Sequence, residues 1–565
     1  VSAKQAIAST ENSQQVSATR KKSLGAYYTP SNLSRILCQW AIRSSNDSIL
    51  EPSFGGCNFL DEIALRLKEI GAADPLANVH GCDIDTHAFE KLKALPYSYP
   101  DSNFLHEDFL SLSTENFCSE QATAVIGNPP YIGHAQINEK QKGTISAWKA
   151  KFKTIVDARS SLWVYFILHS LEFIKPGGRI ALVLPGSFLS ADYSKKLHTA
   201  LKSAFEKLLV ISLSERIFLD EGAEERTVIL LARGFNKSKK AAGDMRFHHA
   251  IRVTDISQAL RTWNDNSSAL EPFIDFGAGS FVTRDTINLF AATRNIFPCV
   301  TLGTIASINI GIVTGDTKFF IRTQTEWTKS GIDKKYLKFV VPKIKSIQGI
   351  HLTPEQASNL VKADERCLLL NTKSKKLSAE VLLYLSSYPE DLKQKATYTK
   401  RAVWHQPDDE KIPDGFMSFL THYGPRLVIN SSKANCTNSV HRVFFNACIT
   451  ETQKKTVAIS ILSSFTQLHA EIIGRPCGSG ALKLEPKDAM ALAIILPTQP
   501  NPLVVDKTFE QIQFLLSANI PDEKEIRKLA DSFLKNTLNK NTHWELDIFD
   551  EALNSARNHR KGELK

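Results

Sequence analysis

Between residue 24 and about residue 233, short apolar runs alternate with stretches of helical periodicity. Residues 48–50 read as a strand and 58–70 as an amphipathic helix ending at Gly71. A strand at 79–82 and a helix at 86–95 follow, then short strands near 104–106 and 124–126. Residues 162–174 predict a helix stopped by Lys175-Pro176-Gly177-Gly178, and 179–184 (RIALVL) a buried strand. Strands separated by helices predict an α/β fold with a parallel, doubly wound sheet. Two later strands, 208–213 and 227–232, have no evident helix between them and suit an antiparallel pair at the sheet edge.

Elsewhere the pattern is less regular. Residues 1–22 are rich in Ser, Gln and Lys and read as a flexible arm. A polar, Lys-rich break at 236–244 marks a first boundary, and Pro497 to Pro502 a second. The expected layout is thus an arm at 1–22, an α/β domain at 23–240, a mixed α+β domain at 241–500 and a helical C-terminal extension at 501–565. A length of 565 residues, too great for one core, agrees with that division. No run of about 18 apolar residues predicts a membrane span. The nine cysteines include no Cys-x-x-Cys pair, so neither a metal nor a disulfide framework is expected, and a reducing cytoplasm suits the chain. A net charge of +10 fits a polyanionic partner.

The sharpest chemical signal is Asn128-Pro129-Pro130-Tyr131, which closes an apolar strand at the end where doubly wound sheets bind ligands. Two prolines stiffen the backbone and donate no N–H, so carbonyls can face a pocket. The Asn128 side-chain oxygen and the Pro129 carbonyl then form two rigid acceptors for a planar amino group. Accepting both hydrogens draws the nitrogen lone pair out of conjugation and makes it nucleophilic. Tyr131 offers an aromatic face. Upstream, Glu51-Pro52-Ser53-Phe54-Gly55-Gly56 forms a glycine-containing loop after the first strand, and its carboxylate favours a cationic or hydroxyl-rich ligand over pyrophosphate. Asp83 closes the second strand, where an acidic residue accepts ribose hydroxyls.

These residues together resemble the gamma-class N6-adenine DNA methyltransferases, strongly over residues 25–232 and more loosely over 311–497. The resemblance implies a Rossmann-like S-adenosylmethionine-dependent catalytic domain and a second, target-recognition domain. In Gly25-Ala26-Tyr27-Tyr28-Thr29-Pro30 it assigns Tyr28, Thr29 and Pro30 to the cofactor's methionine end. It assigns Glu51, Ser53, Phe54 and Gly55 to the first cofactor loop, Asp83 and Ile84 to the ribose and adenine, and Asp108 and Phe109 to the adenine. Asn128, Pro129, Pro130 and Tyr131 become the catalytic motif, with Asn128 also among the cofactor contacts. In Glu215-Arg216-Ile217-Phe218, Phe218 becomes the ring that stacks on a flipped adenine opposite Tyr131. The chain departs from the family at Cys57, where a second glycine is usual; a cysteine there can crowd the cofactor or force a different turn.

The implied substrate is duplex DNA, read by the second domain. Thr314, Lys318, Lys400, Arg401, Trp404, Arg426, Asn435, Arg475 and Lys483 are the candidate contacts, since Arg and Lys reach guanine edges or phosphates and Asn reads adenine. Family membership also implies a bacterial monomer, acting on DNA at the nucleoid as the modification half of a restriction–modification system, with any cognate endonuclease on a separate chain. The acceptor geometry alone also suits RNA bases or the side-chain amide of a protein glutamine, so these substrates stay open at this level.

Overall fold

The computed structural model describes residue 25, 27–118, 120–137, 139–157, 159–218, 227–237, 241–273, 284–373, 376–477, 480–518, 520–538 and 546–561. The expected arm at 1–22 lies outside these residues. The chain divides into two compact units, with the division in the main chain at Ser280 and Phe281.

The first unit is built on a nine-stranded sheet: β1 (Ile49–Glu51), β2 (Val79–Cys82), β3 (Phe104–Leu105), β4 (Ala122–Gly127), β5 (Ile174–Pro185), β6 (Phe205–Leu213), β7 (Thr227–Phe235), β8 (Asp244–Ala250) and β9 (Glu271–Pro272). Its order is β3-β2-β1-β4-β5-β7-β6-β8-β9. β1 to β5 are mutually parallel, and β7 runs antiparallel between β5 and β6. Every residue of β1 and β4 is buried, as expected where both faces of a parallel sheet are covered. Alternate residues feed two separate cores. Ile49, Ala124, Ile126, Ala181 and Val183 pack on one side with helices α1 (Ser31–Ala41), α2 (Asn58–Glu69) and α3 (Thr86–Lys93). Leu50, Val125, Ile180, Leu182 and Leu184 pack on the other with α4 (Glu139–Lys151), α5 (Leu162–Ser170) and α6 (Asp192–Ala204).

Three expectations change. The helix at 162–174 stops at Ser170, and the strand starts at Ile174, before the Pro-Gly-Gly turn; Ala122 pairs with Ile174 and Ala124 with Arg179, so Lys175–Gly178 are looped out of register. β6 is not at the sheet edge, because β8 pairs parallel to it along its length and β9 lies beyond. The boundary read at 236–244 is therefore not a domain end: residues 244–250 belong to the first sheet, with Met245 and Phe247 in its core. Met245-Arg246-Phe247-His248 alternates apolar and polar residues, the pattern of a half-buried strand, directly after the polar break.

The second unit holds a five-stranded sheet in the order Ala306–Ile310, Val440–Phe445, Gly415–Ser418, Leu427–Asn430, His351–Leu352. Helices Pro502–Leu516, Glu523–Thr537 and Leu546–Lys561 are part of this unit's core rather than an extension. Phe509, Ile526, Phe533, Leu534, Phe549 and Leu553 share one apolar cluster with Phe465 and Leu468 of helix Ser464–Ile473. Gly311 sits where an added Cβ would lie 2.1 Å from the Thr437 carbonyl oxygen. Gly311→Ala is therefore expected to cost this unit about 1–3 kcal/mol through forced backbone movement. A lowered urea midpoint checks this; an unchanged one would refute it. Among the described residues no single helix is long and apolar enough to cross a membrane.

Candidate active site

A cleft opens at the C-terminal ends of β1, β2 and β4. Of the residues assigned to the cofactor, Tyr28, Thr29, Glu51, Ser53, Phe54, Gly55, Asp83, Ile84, Asp108, Phe109 and Asn128 all line it. Pro30 does not. Its carbonyl instead accepts the N–H groups of Leu33 and Ser34 at the start of α1, as a residue preceding a helix does.

The loop after β1 gets its shape from small residues. Gly55 takes φ +45°, and its N–H donates to Asp83 Oδ2 at 2.9 Å, while the Asp85 N–H donates to Oδ1 at 2.8 Å. Two main-chain donors thus fix the Asp83 carboxylate, although its burial outweighs them and raises its pKa. The Tyr28 ring packs on the loop: a Cβ at Gly56 would sit 3.0 Å from two of its ring carbons. Cys57 takes φ +65°, the left-handed conformation that suits glycine. Its side chain turns into the core, where the thiol donates to the Ala88 carbonyl at 3.6 Å. Cys57 does not line the cleft, so the expected crowding does not arise.

Glu51 is buried, and its Oε2 has no hydrogen-bond partner among the described residues. Burial first, and the Asp83 charge second, hold its carboxyl well above the ordinary range. A buried acidic oxygen without a donor, at the mouth of a polar loop, fits a ligand's ammonium group. Across the cleft Phe109 is buried against Phe166, Phe173 and His169, while Ile84 remains 47% exposed. Apolar surfaces so placed fit the faces of a planar heterocycle.

Asn128 leaves β4 with its orientation decided. Its Nδ2 donates to the Tyr27 carbonyl at 2.7 Å; since a carbonyl cannot donate, the other end of the amide must be the oxygen. That Oδ1 is buried and has no hydrogen-bond partner among the described residues. Ser53 Oγ donates to the Asn128 main-chain carbonyl at 3.3 Å, tying the motif to the β1 loop. The Tyr131 N–H donates to the Gly25 carbonyl at 3.1 Å, and a Cβ at Gly25 would meet Tyr131 N at 2.9 Å. Glycine there lets the N-terminal segment lie directly on the Asn128–Tyr131 turn.

Tyr131 and Phe218 come together, but not as two parallel faces. Their centroids are 6.3 Å apart with the rings at 86°, and Tyr27 touches both, at 5.6 and 5.8 Å. Phe218 is 2% exposed. The expected slot for a base is closed by a third ring that the motif contained but that sequence gave no reason to single out. Gln141, from α4, is a further wall of the cleft that no motif indicated.

Most candidate DNA contacts of the second unit turn inward, which corrects the expectation drawn from their charge. Thr314 is buried beside Thr317. Arg401 donates to the Trp404 and Val313 carbonyls and lies over Tyr398. Trp404 stacks on Tyr388 at 5.3 Å. Arg426 donates to the carbonyls of Ile344 and Ile347, and burial lowers its pKa to about 10. Asn435 is fully buried and donates to Asp408 at 3.0 Å. Lys483 pairs with Glu485 at 2.6 Å, and Arg475 lies 3.9 Å from Asp488. Lys318 and Lys400 stay exposed.

Comparison with known proteins agrees with this geometry. Residues 14–271 match the family model described as N-6 DNA Methylase, and residues 278–534 the one described as type II methyltransferase M.Eco57I, C-terminal domain. The type II methyltransferase M.AccI of Acinetobacter calcoaceticus is 22% identical over 551 residues, 94% of this chain and 97% of that protein. M.XamI of Xanthomonas campestris pv. amaranthicola is 21% identical over 485 residues, 83% and 85% of the two chains. The solved structure of the type IIL restriction–modification enzyme MmeI in complex with DNA shares the fold with a TM-score of 0.56 and 12% identity, over 94% of this chain and 75% of that one. A methylase match followed by a C-terminal domain match, over a cleft with an oriented Asn-Pro-Pro-Tyr turn, makes the chain similar along its length to the methyltransferases of type II restriction–modification systems.

Proposed function

We propose that the chain methylates the N6 amine of an adenine flipped out of duplex DNA, at a sequence read by its second unit. The carrying observation is the Asn128 amide: fixed by the Tyr27 carbonyl, it presents a buried oxygen with no donor of its own. An adenine amine brought to it gives one hydrogen to Asn128 Oδ1 and the other to the Pro129 carbonyl. Both N–H bonds are then held, the lone pair is freed toward the methyl donor, and no strong base is needed. S-adenosylmethionine supplies the methyl group when bound, with Glu51 toward its ammonium, Asp83 toward its ribose hydroxyls, and Ile84 and Phe109 against its adenine. The sheet order and the position of the cleft support a Rossmann-like, doubly wound catalytic domain. The match to a DNA methylase family favours DNA over RNA or protein glutamine.

Mapping modified bases in DNA from cells expressing the chain tests this reading. The expected result is N6-methyladenine confined to one short sequence; unmodified DNA despite active expression would refute it. Glu51 adds a pH test. Burial moves its ionisation to higher pH, and ammonium binding needs the carboxylate. Cofactor affinity should therefore rise with pH as Glu51 ionises, by up to about tenfold per unit while one proton must leave. Glu51→Gln is expected to flatten that dependence and weaken binding about 10- to 100-fold, the worth of a hydrogen bond to a charged group. Calorimetric titration across this range decides it; an unchanged pH profile in the variant would exclude Glu51.

A further inference from the structure

Helix α4 has two faces with different chemistry. Gln141, Ile145, Trp148 and Phe152 follow one another at helical spacing on the inner side. Gln141 walls the cleft, Ile145 is buried, and Trp148 Nε1 donates at 2.8 Å to the carbonyl of Leu110, next to Phe109. One residue further on, Lys142, Ser146 and Lys149 repeat the same spacing, and Lys153 continues it in the turn just past the helix end at Lys151. Lys142, Ser146 and Lys153 are exposed and Lys149 is half-exposed.

This outer row is unbalanced in charge. The only acidic residues between 139 and 159 are Glu139 and Asp157, against Lys140, Lys142, Lys149, Lys151, Lys153 and Arg159. Lys151 pairs with Glu172. Among the described residues no carboxylate lies within ion-pair distance of Lys149 or Lys153. A surface that serves solubility mixes both signs. Here one sign gathers on the outside of the helix whose inner face closes the cleft containing Asn128. In the second unit Arg401 and Arg426 spend their guanidinium groups on main-chain carbonyls, which gives the first unit's own cations more weight as phosphate contacts.

We infer that α4 and the turn that follows it form the catalytic unit's own phosphate clamp, with Lys149 and Lys153 on the DNA backbone beside the flipped nucleotide. The inference rests on the DNA reading above. Each neutralised phosphate contributes about 0.9 to the slope of log affinity against log salt. The test uses the full chain and a duplex oligonucleotide carrying the mapped methylation site, titrated over a range of salt. Lys149→Gln/Lys153→Gln is expected to reduce the slope by nearly two, and to weaken binding at least tenfold near physiological salt. S-adenosylmethionine affinity should not change, since neither lysine lines the cleft. A steep wild-type slope that the double substitution leaves unchanged would overturn the inference alone. A flat wild-type response would sink the DNA reading and the clamp together.

Discussion

Asn128→Ala is expected to lower kcat on the order of 10³-fold while leaving cofactor and DNA binding close to normal. The size follows from what is removed. Preorganised groups aimed at developing charge are worth about 10²–10³-fold each, because their orientation is settled before reaction. Asn128 is such a group: the Tyr27 carbonyl holds its nitrogen, the flanking prolines stiffen its turn, and its oxygen is buried without a competing donor. Alanine leaves the turn, the Ser53 contact to the main-chain carbonyl and the Glu51 and Asp83 loop intact. Single-turnover rates with preformed complexes separate chemistry from binding. A variant that keeps more than a tenth of wild-type kcat would remove Asn128 from the mechanism. One that loses cofactor affinity instead would make it a structural residue.

The sequence made the first four strands and the cleft legible for one physical reason. Parallel strands buried on both faces read as short apolar runs in β1 and β4, and the ends of β1, β2 and β4 are marked by the polar residues Glu51, Asp83 and Asn128. β8 was missed although Met245-Arg246-Phe247-His248 carries the alternation of a half-buried strand, because it follows directly on the Lys-rich break read as a boundary. The helical tail looked detachable because its apolar stripe does not reveal the partner that the cluster around Phe465 supplies. Charge was the least informative signal. The sequence shows that Arg401 and Arg426 are cations, whereas only the fold shows their guanidinium groups spent on main-chain carbonyls. Cys57 is the converse case: its backbone conformation, not its side chain, answers to the family's glycine.

The closed ring cluster leads to the second large effect, on base flipping. A base held face to face between two rings needs them about 7 Å apart and parallel, two carbon–carbon contacts of about 3.5 Å. Tyr131 and Phe218 are closer, perpendicular, and bridged by Tyr27. The rings must therefore move before the amine can reach Asn128. With 2-aminopurine at the target position, fast DNA binding should precede a slower rise in fluorescence as the slot opens. Phe218→Ala is expected to depopulate the flipped state by about 1–3 kcal/mol, roughly five- to 150-fold, because one stacking face is lost against a flipping cost of a few kcal/mol. Tyr27→Ala should act in the opposite direction, speeding the slow phase, because it removes the third ring and keeps the main-chain carbonyl that orients Asn128. If Tyr27→Ala slows that phase or lowers its amplitude, Tyr27 stacks on the base rather than blocking it, and the closed slot is not the barrier to entry.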